Sequence, residues 1–395
     1  MTDAVASQAL PHPTSLAGTG AATISVHADV AGALQAWAEL EALAPVSLYQ
    51  TRRWLLPWIA TLGKARGITP MLIVVHVARR PVMLLPFGVE RRNGLAIARF
   101  LGAKDSNFNL ALRDPAYACS AAQLRAILAE AAALAPTKPD LFQLSNQPES
   151  WAGQPNPFLA LPHQPSPSFG YKTGLTGDAQ GFLRMRISKD SLRKLGQKER
   201  RLAGLGTLTF VHGASPEAVP AIIAAFCSQQ SARLRAMGLH DVYESPAAAE
   251  FLAQASALQP GQVQPALEWH ALLCGTRIVA TFAGGVSGNR FHGMVTSFDG
   301  AADVSTSSPG DLLIQHLVAH CCQRGIATFD LGVGEARYKT TYCDAVEPLF
   351  DCLIPASLKG HVWAGAEKWR LAAKRAIKQS PLAWSLARRL RALRG

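Results

Sequence analysis

Two stretches of this chain bring residues capable of group-transfer chemistry close together. In the first, Thr306-Ser307-Ser308-Pro309-Gly310-Asp311-Leu312 leads from a predicted strand through a Ser-Pro-Gly turn into an apolar helix. That order aims free backbone N–H groups at the turn, an arrangement suited to phosphate. Gly310 would let a pyrophosphate approach the backbone with no side chain in the way. In the second, Phe329-Asp330-Leu331-Gly332-Val333-Gly334 ends a strand and is followed by Glu335-Ala336-Arg337-Tyr338-Lys339. Tyr338 is a candidate proton donor there and Lys339 a candidate cation. Each part also has a plain reading. The Ser-Pro-Gly turn is a common helix start, the glycines permit a tight turn, and Tyr338 and Lys339 make an ordinary exposed loop pair.

A third candidate lies on the strand Leu267-Glu268-Trp269-His270-Ala271-Leu272-Leu273. Alternation puts Glu268 and His270 on one face, opposite Trp269 and Ala271. A carboxylate and an imidazole so placed could remove the proton of an attacking amine; a merely solvent-facing strand gives the same pattern. His292 falls on the next predicted strand and Asp330 at a strand end, and both are candidate substrate contacts. No Gly-x-Ser-x-Gly elbow occurs and no Cys/His pairing is suggested, which argues against a covalent acyl-enzyme.

The elements that must position these residues can be read from periodicity. Residues 28–44 and 120–135 are helical by propensity. Met71–Ala78 and Val82–Val89 are apolar runs flanking a turn, as in a hairpin. In the second half, a basic helix over Ser188–Ala203 precedes strand Leu208–His212. Helices at Pro216–Met237 and Pro246–Ala257 follow, then strands Ala266–Leu273, Arg277–Val286 and Arg290–Ser297. Last come a helix over Asp311–Arg324 and strand Thr328–Leu331. The pattern is α+β. Leu192, Leu195 and Leu202 share one side of the basic helix, with cations around the rest.

The run SPGDLLIQHLVAHCCQRGIATFDLGVGEARYKTTYC resembles the signature region of the CelD/BcsL-type acetyltransferases, a branch of the GNAT superfamily related to the FemAB aminoacyltransferases. The matching positions are Ser308-Pro309-Gly310, Arg324-Gly325, Phe329-Asp330-Leu331-Gly332 and Tyr338-Lys339, and the basic helix is similar to the one that opens that family's domain. The resemblance covers about Ile187 to Pro355. It implies a GNAT fold with acyl-CoA over a splayed sheet and its pyrophosphate at the start of the Asp311 helix. Ser308, Pro309, Gly310, Asp311, Leu312 and Lys339 are then the cofactor contacts. The reading of the residues themselves leaves Glu268, His270 and Tyr338 as the candidate catalytic set and His292 and Asp330 as candidate substrate contacts, while the resemblance favours a local structural role for Asp330. The common GNAT phosphate loop, Q/R-x-x-G-x-G/A, is absent.

Length and composition frame this reading. At 395 residues two domains are expected. The expected plan is a disordered stretch over 1–20, a degenerate GNAT-like domain over 21–146, a Pro-rich linker over 147–167, the acyltransferase domain over 168–358, and basic amphipathic helices over 359–395. Seven cysteines without a C-x-x-C pattern, and a start without a basic secretory signal, point to a cytoplasmic protein with no metal site. The net charge of +12 favours anionic partners. Tryptophans among the cations of the tail suit peripheral contact with an anionic membrane, on its inner face; packing on the core is the alternative. The expected reaction is transfer of an acetyl or longer acyl group from acyl-CoA to an amine, with an amino sugar of exopolysaccharide or envelope metabolism suggested by the family. Two rivals stand beside it. One is a FemAB-like transferase using aminoacyl-tRNA, the single case in which nucleic acid would be a partner. The other is a non-catalytic, membrane-associated partner of a polysaccharide synthase.

Overall fold

The computed structural model describes residues 22–379, apart from 240 and 260. The expected disordered start and the part of the tail holding Pro381 and Trp384 lie outside the described residues.

The chain builds two α+β units on two mixed sheets. In the first unit β1 (Thr23–His27) is followed by α1 (Leu34–Leu43) and α2 (Arg52–Trp58), then by β2 (Thr69–Val77), β3 (Arg80–Arg92) and β4 (Leu95–Phe100). The apolar runs of β2 and β3 are buried on both faces, as central strands require. Ala78 and Arg79 join them with positive φ at both positions, a turn whose twist matches that of a hairpin. A short β5 (Leu112–Arg113) lies against β3, and α3 (Ala121–Leu134) crosses to β6 (Leu141–Pro148). β6 runs parallel to β4 only at Ile97–Leu141 and Ala98–Phe142, and beyond those pairs the strands diverge.

Residues 147–167 are structured, which corrects the expected linker. β7 (Ser150–Trp151) and β8 (Gln154–Pro155) form a small hairpin, and β9 (His163–Pro165) joins the first sheet. Pro155 and Pro165 occupy short strands and Pro157 the start of a helical turn, places where a missing N–H costs little.

The second unit comprises β10 (Gly170–Gly174), α4 (Ala179–Arg186), α5 (Lys189–Ala203), β11 (Leu208–Val211), α6 (Val219–Ala236) and α7 (Pro246–Ser256). It continues through β12 (Glu268–Cys274), β13 (Arg277–Ser287), β14 (Arg290–Phe298), α8 (Ala302–Ser305), α9 (Pro309–Gln323), β15 (Thr328–Val333), α10 (Arg337–Tyr342) and β16 (Ala345–Glu347). Its sheet order, β11-β12-β13-β14-β15-β10-β16, repeats that of the first, β1-β2-β3-β4-β6-β17-β9. Here β17 (Leu349–Pro355) comes after the second unit in sequence yet pairs with β6 and β9 of the first. The expected domain over 168–358 is corrected accordingly, because residues 349–355 complete the other sheet. α11 (Leu358–Gln379) then packs on β17 and β6.

The units share a core. Trp37, Leu48, Tyr49, Trp54 and Trp58 of the first belong to one cluster with Phe226, Phe251, Trp269 and Ala283 of the second. Arg53, buried among them, donates to the carbonyls of Pro265 and Val286. Separate clusters lie under α9 and under α3. Among the described residues no helix is long and apolar enough to cross a membrane.

Candidate acyl-transfer site

β14 and β15 are parallel partners only from Arg290–Thr328 to His292–Asp330. From Gly293 onward β14 has no strand on that side, while β15 continues against β10. At the point of divergence the β13–β14 register shifts, so that Met294 has no partner on β13. Such a bulge frees backbone groups and re-aims side chains. The result is an open V whose mouth lies toward Phe298 and the start of α9.

That start differs sharply from the matching helix of the first unit. α3 is closed by its own capping box, with Ser120 accepting from the Gln123 N–H and Gln123 reaching back to the Ser120 N–H. α9 has no side-chain cap, and Ser308 stands in the left-handed region at φ 51. The hydroxyls nearest it accept instead from cations of α5, Lys198 Nζ to Ser308 Oγ at 2.7 Å and Arg201 Nε to Ser307 Oγ at 3.1 Å. α5 docks as its pattern requires, with Leu202 buried and Leu192 and Leu195 packed on the second core cluster. A Cβ on Gly310 would meet only Phe298 Cδ1, at 3.8 Å. Two cations beside an uncapped helix start are an arrangement chemically suited to phosphate. Ser308 and Gly310 both lie at this helix start. Pro309 and Leu312 are buried in the core under α9, so neither offers a side chain to a ligand. Burial raises the Asp311 carboxyl, with Lys198 and Arg337 acting against that shift. Lys339 requires correction. It is buried, donates to the Val333 carbonyl at 2.9 Å, and has its pKa lowered to about 8 by burial. It anchors the end of β15 and is not available to a cofactor.

At the apex of the V lies a buried polar network. Asp330 accepts from Gly332 N–H at 2.7 Å and from Arg290 Nε at 3.1 Å, and its Oδ2 is 3.3 Å from His292 Nδ1. Burial alone would raise the Asp330 carboxyl, but Arg290, His292 and the Gly332 N–H hold it below its ordinary value. His292 is fully buried between Tyr49 and Trp151, and burial lowers its pKa despite Asp330, so it is neutral at pH 7. The first unit supplies the rest. Asn107 Nδ2 donates to Tyr49 Oη at 2.7 Å and to the Gly293 carbonyl at 3.2 Å, while Asn107 Oδ1 accepts from Val333 N–H at 3.1 Å. One amide thus bridges the backbones of the two diverging strands. His292 and Asp330, predicted separately, are brought together here.

Glu268 and His270 are not brought to this place. They do share a face, as alternation requires, but it is the face covered by α9, two strands from the V. Glu268 is held by Arg324 through two hydrogen bonds of 2.5 and 3.1 Å. His270 is fully buried beside His212 and His320, and it accepts from the Gly213 N–H at 3.2 Å. Their pairing as general base is corrected because the face they share lies under α9, away from the V and its bulge. Tyr338 is half-buried on α10, beyond the end of β15, with its phenol pushed up to about 12 by burial. Among the described residues no group of three or more His, Cys, Asp or Glu is placed to hold a metal ion.

The residues missed from the sequence are Tyr49, Asn107 and Arg290, while Lys198 and Arg201 were legible only as cations of the basic helix. Lys198 and Arg201 had a signal in their three-residue spacing on the basic helix. Arg290 lies two residues before His292 and so shares its face. Asn107 had none, because the backbone groups it holds at Gly293 and Val333 lie 186 and 226 residues away.

Taken together, a divided parallel pair, a bulge at its apex and a helix opening toward a cation-flanked turn give the second unit the layout of an acyl-transfer domain of the GNAT type, and the chain is an N-acyltransferase. Residues 189–340 match the family described as Acetyltransferase (GNAT) domain. No curated protein matches the chain significantly. Among solved structures it is similar to FemX, at 10% identity and a TM-score of 0.54, over 84% of this chain and 97% of that one. It is also similar to the C-terminal domain of a putative lysylphosphatidylglycerol synthetase from Agrobacterium fabrum, at 14% identity and a TM-score of 0.47, over 85% and 95% of the two chains. A tandem GNAT protein from the clavulanic acid biosynthesis pathway gives 11% identity and a TM-score of 0.45, over 85% and 99%. At these identities the likeness is one of fold.

Proposed function

We propose that this chain transfers an acetyl group directly from acetyl-CoA to an amine, with the second unit carrying the acyl donor and the first no longer doing so. The observation that carries this reading is the contrast between the two helix starts. α3 has filled its own N–H groups with Ser120 and Gln123, whereas α9 leaves its turn open between Lys198 and Arg201. A carrier with its phosphates there would lie along the free edge of β14, its thioester near Met294. Asn107 closes the apex, which limits the acyl group to a short one.

In the proposed step the amine nitrogen attacks the thioester carbonyl and forms the C–N bond, and the C–S bond breaks. His292, neutral through burial and oriented by Asp330, takes the amine proton in place of the expected Glu268 and His270. Backbone N–H groups released at the Met294 bulge face the developing oxyanion. The leaving sulfur takes a proton from Tyr338. Its raised pKa keeps the phenol protonated but makes it a modest acid.

The acceptor class proposed is an amino sugar of exopolysaccharide or envelope metabolism. A position at the inner membrane face is supported by α11, where Leu358, Val362 and Trp369 stand exposed on one side between Lys359 and Lys368. A second reading, an aminoacyl-tRNA donor, is favoured by one feature, the exposed cations Arg193, Lys194 and Arg200 on α5.

Calorimetric titration with acetyl-CoA and desulfo-CoA separates these readings. Micromolar binding that disappears in Gly310→Trp is the expected result, because that substitution fills the turn without straining the backbone. Absence of binding to every CoA species would overturn the acetyl-CoA reading and leave the tRNA-dependent one.

A further inference from the structure

The first unit has its own V, between β4 and β6, and it is not empty space against solvent. A cavity of about 430 Å³ lies there, under α11 and on the side away from α3. Its rim carries Arg92, Lys104 and Lys374, none of which makes an ion pair among the described residues. Three further cations of the lining are neutralised, Arg66 by Asp105, Arg99 by Glu90 and Arg370 by Glu367. Lys374 has its pKa lowered, chiefly by desolvation and then by Lys378 and Arg370, with Asp351 and Glu367 acting the other way.

The floor is of another kind. Asn109 is buried and its Nδ2 donates to the Ser145 carbonyl at 2.9 Å, yet its Oδ1 has no donor. Asp351, equally buried, accepts from Ser166 Oγ and from Asn146 N–H at 2.9 Å. A buried oxygen without a donor costs free energy unless a ligand or water supplies one. The floor therefore asks for hydroxyl or amine donors, and the rim asks for an anion with more than one charge. Val333, whose N–H is held by Asn107, forms part of the wall, so the cavity reaches the end of β15 beside the acyl-transfer site.

We propose that this cavity is the acceptor site and binds a phosphorylated amino sugar, its phosphate on Arg92, Lys104 and Lys374 and its hydroxyls on Asn109 and Asp351. The assignment of acceptor rests on the acyl-transfer reading, but the binding of a sugar phosphate does not.

The test is calorimetric titration of the full chain with glucosamine-6-phosphate, glucosamine and inorganic phosphate, using wild type, Lys374→Glu and Lys104→Glu. Both substitutions are at exposed positions, and desulfo-CoA titrated into the same variants shows whether the α9 site is intact. Expected are binding of the sugar phosphate that is tighter than either fragment and a loss of about tenfold or more in each variant, with desulfo-CoA binding unchanged. Equal affinity for the sugar phosphate in wild type and both variants would overturn the proposal, as would inorganic phosphate binding as tightly as the sugar phosphate. If the sugar phosphate behaves as expected while no CoA species binds, the acyl donor assignment fails and the cavity assignment stands.

Discussion

A Cβ on Gly332 would fall 2.3 Å from Asn107 Nδ2, so the first unit's asparagine occupies the space that a side chain on β15 would need. Gly332 also has φ +74, a conformation that side chains resist. The two residues are complementary across the unit boundary, and together they fix how deep the V can be. Asn107→Ala should remove the bridge between Gly293 and Val333 at a cost of about 1–3 kcal/mol in urea unfolding. It should also raise kcat/KM for propionyl-CoA relative to acetyl-CoA. An unchanged acyl preference would mean that the apex does not limit chain length.

The pH dependence of activity should report His292. Its lowered pKa places the acid limb of kcat/KM below the ordinary imidazole range near pH 6.5. Asp330 acts on this imidazole in the upward direction, so Asp330→Asn should move the limb further toward acid. A shift toward alkali, or none, would remove His292 as the proton acceptor.

Acid should also unfold the second unit through histidines that take no part in transfer. His212 is lowered to about 4 by burial and then by His320 and His316, while burial likewise lowers His270 and His320. The unfolded chain then binds these protons more readily than the folded one. Stability is complete above about pH 6.5 and falls as pH drops toward about 4. Urea midpoints measured across that window should decline in wild type and decline less in His212→Phe.

Packing makes a separate prediction at α11. A Cβ on Gly360 would lie 1.8 Å from the Asp140 carbonyl oxygen. Gly360→Ala should therefore lift the helix from β6 and β17, by about 1–3 kcal/mol in unfolding free energy. Trp369→Glu, on the exposed side of the same helix, should leave stability alone and reduce sedimentation with vesicles containing anionic phospholipid. Equal sedimentation of both proteins would argue against membrane contact through this face.

Much of the second unit was legible because its signals are local. Strand alternation, the helix over residues 309–323 and the leucine stripe of α5 each follow from spacing of a few residues. The same alternation put Glu268 beside His270, but could not say that α9 covers that face or that Arg324 comes back to hold the carboxylate. The stretch over 147–167 misled because proline content marks edges as readily as linkers. Asn107 was invisible for a different reason. Its role comes from Gly293 and Val333, and nothing in a loop of the first unit records where a strand of the second will open.

The placement of β17 carries a consequence for synthesis. The amino-terminal sheet lacks a strand between β6 and β9 until residue 355 has left the ribosome, although its other strands are available some 190 residues earlier. The nascent chain must keep β6 unpaired on one edge while the whole second sheet is made. A chain severed between residues 148 and 168 would leave each fragment with a gap or an unmatched strand, and mixing the two should restore by association what neither can hold alone.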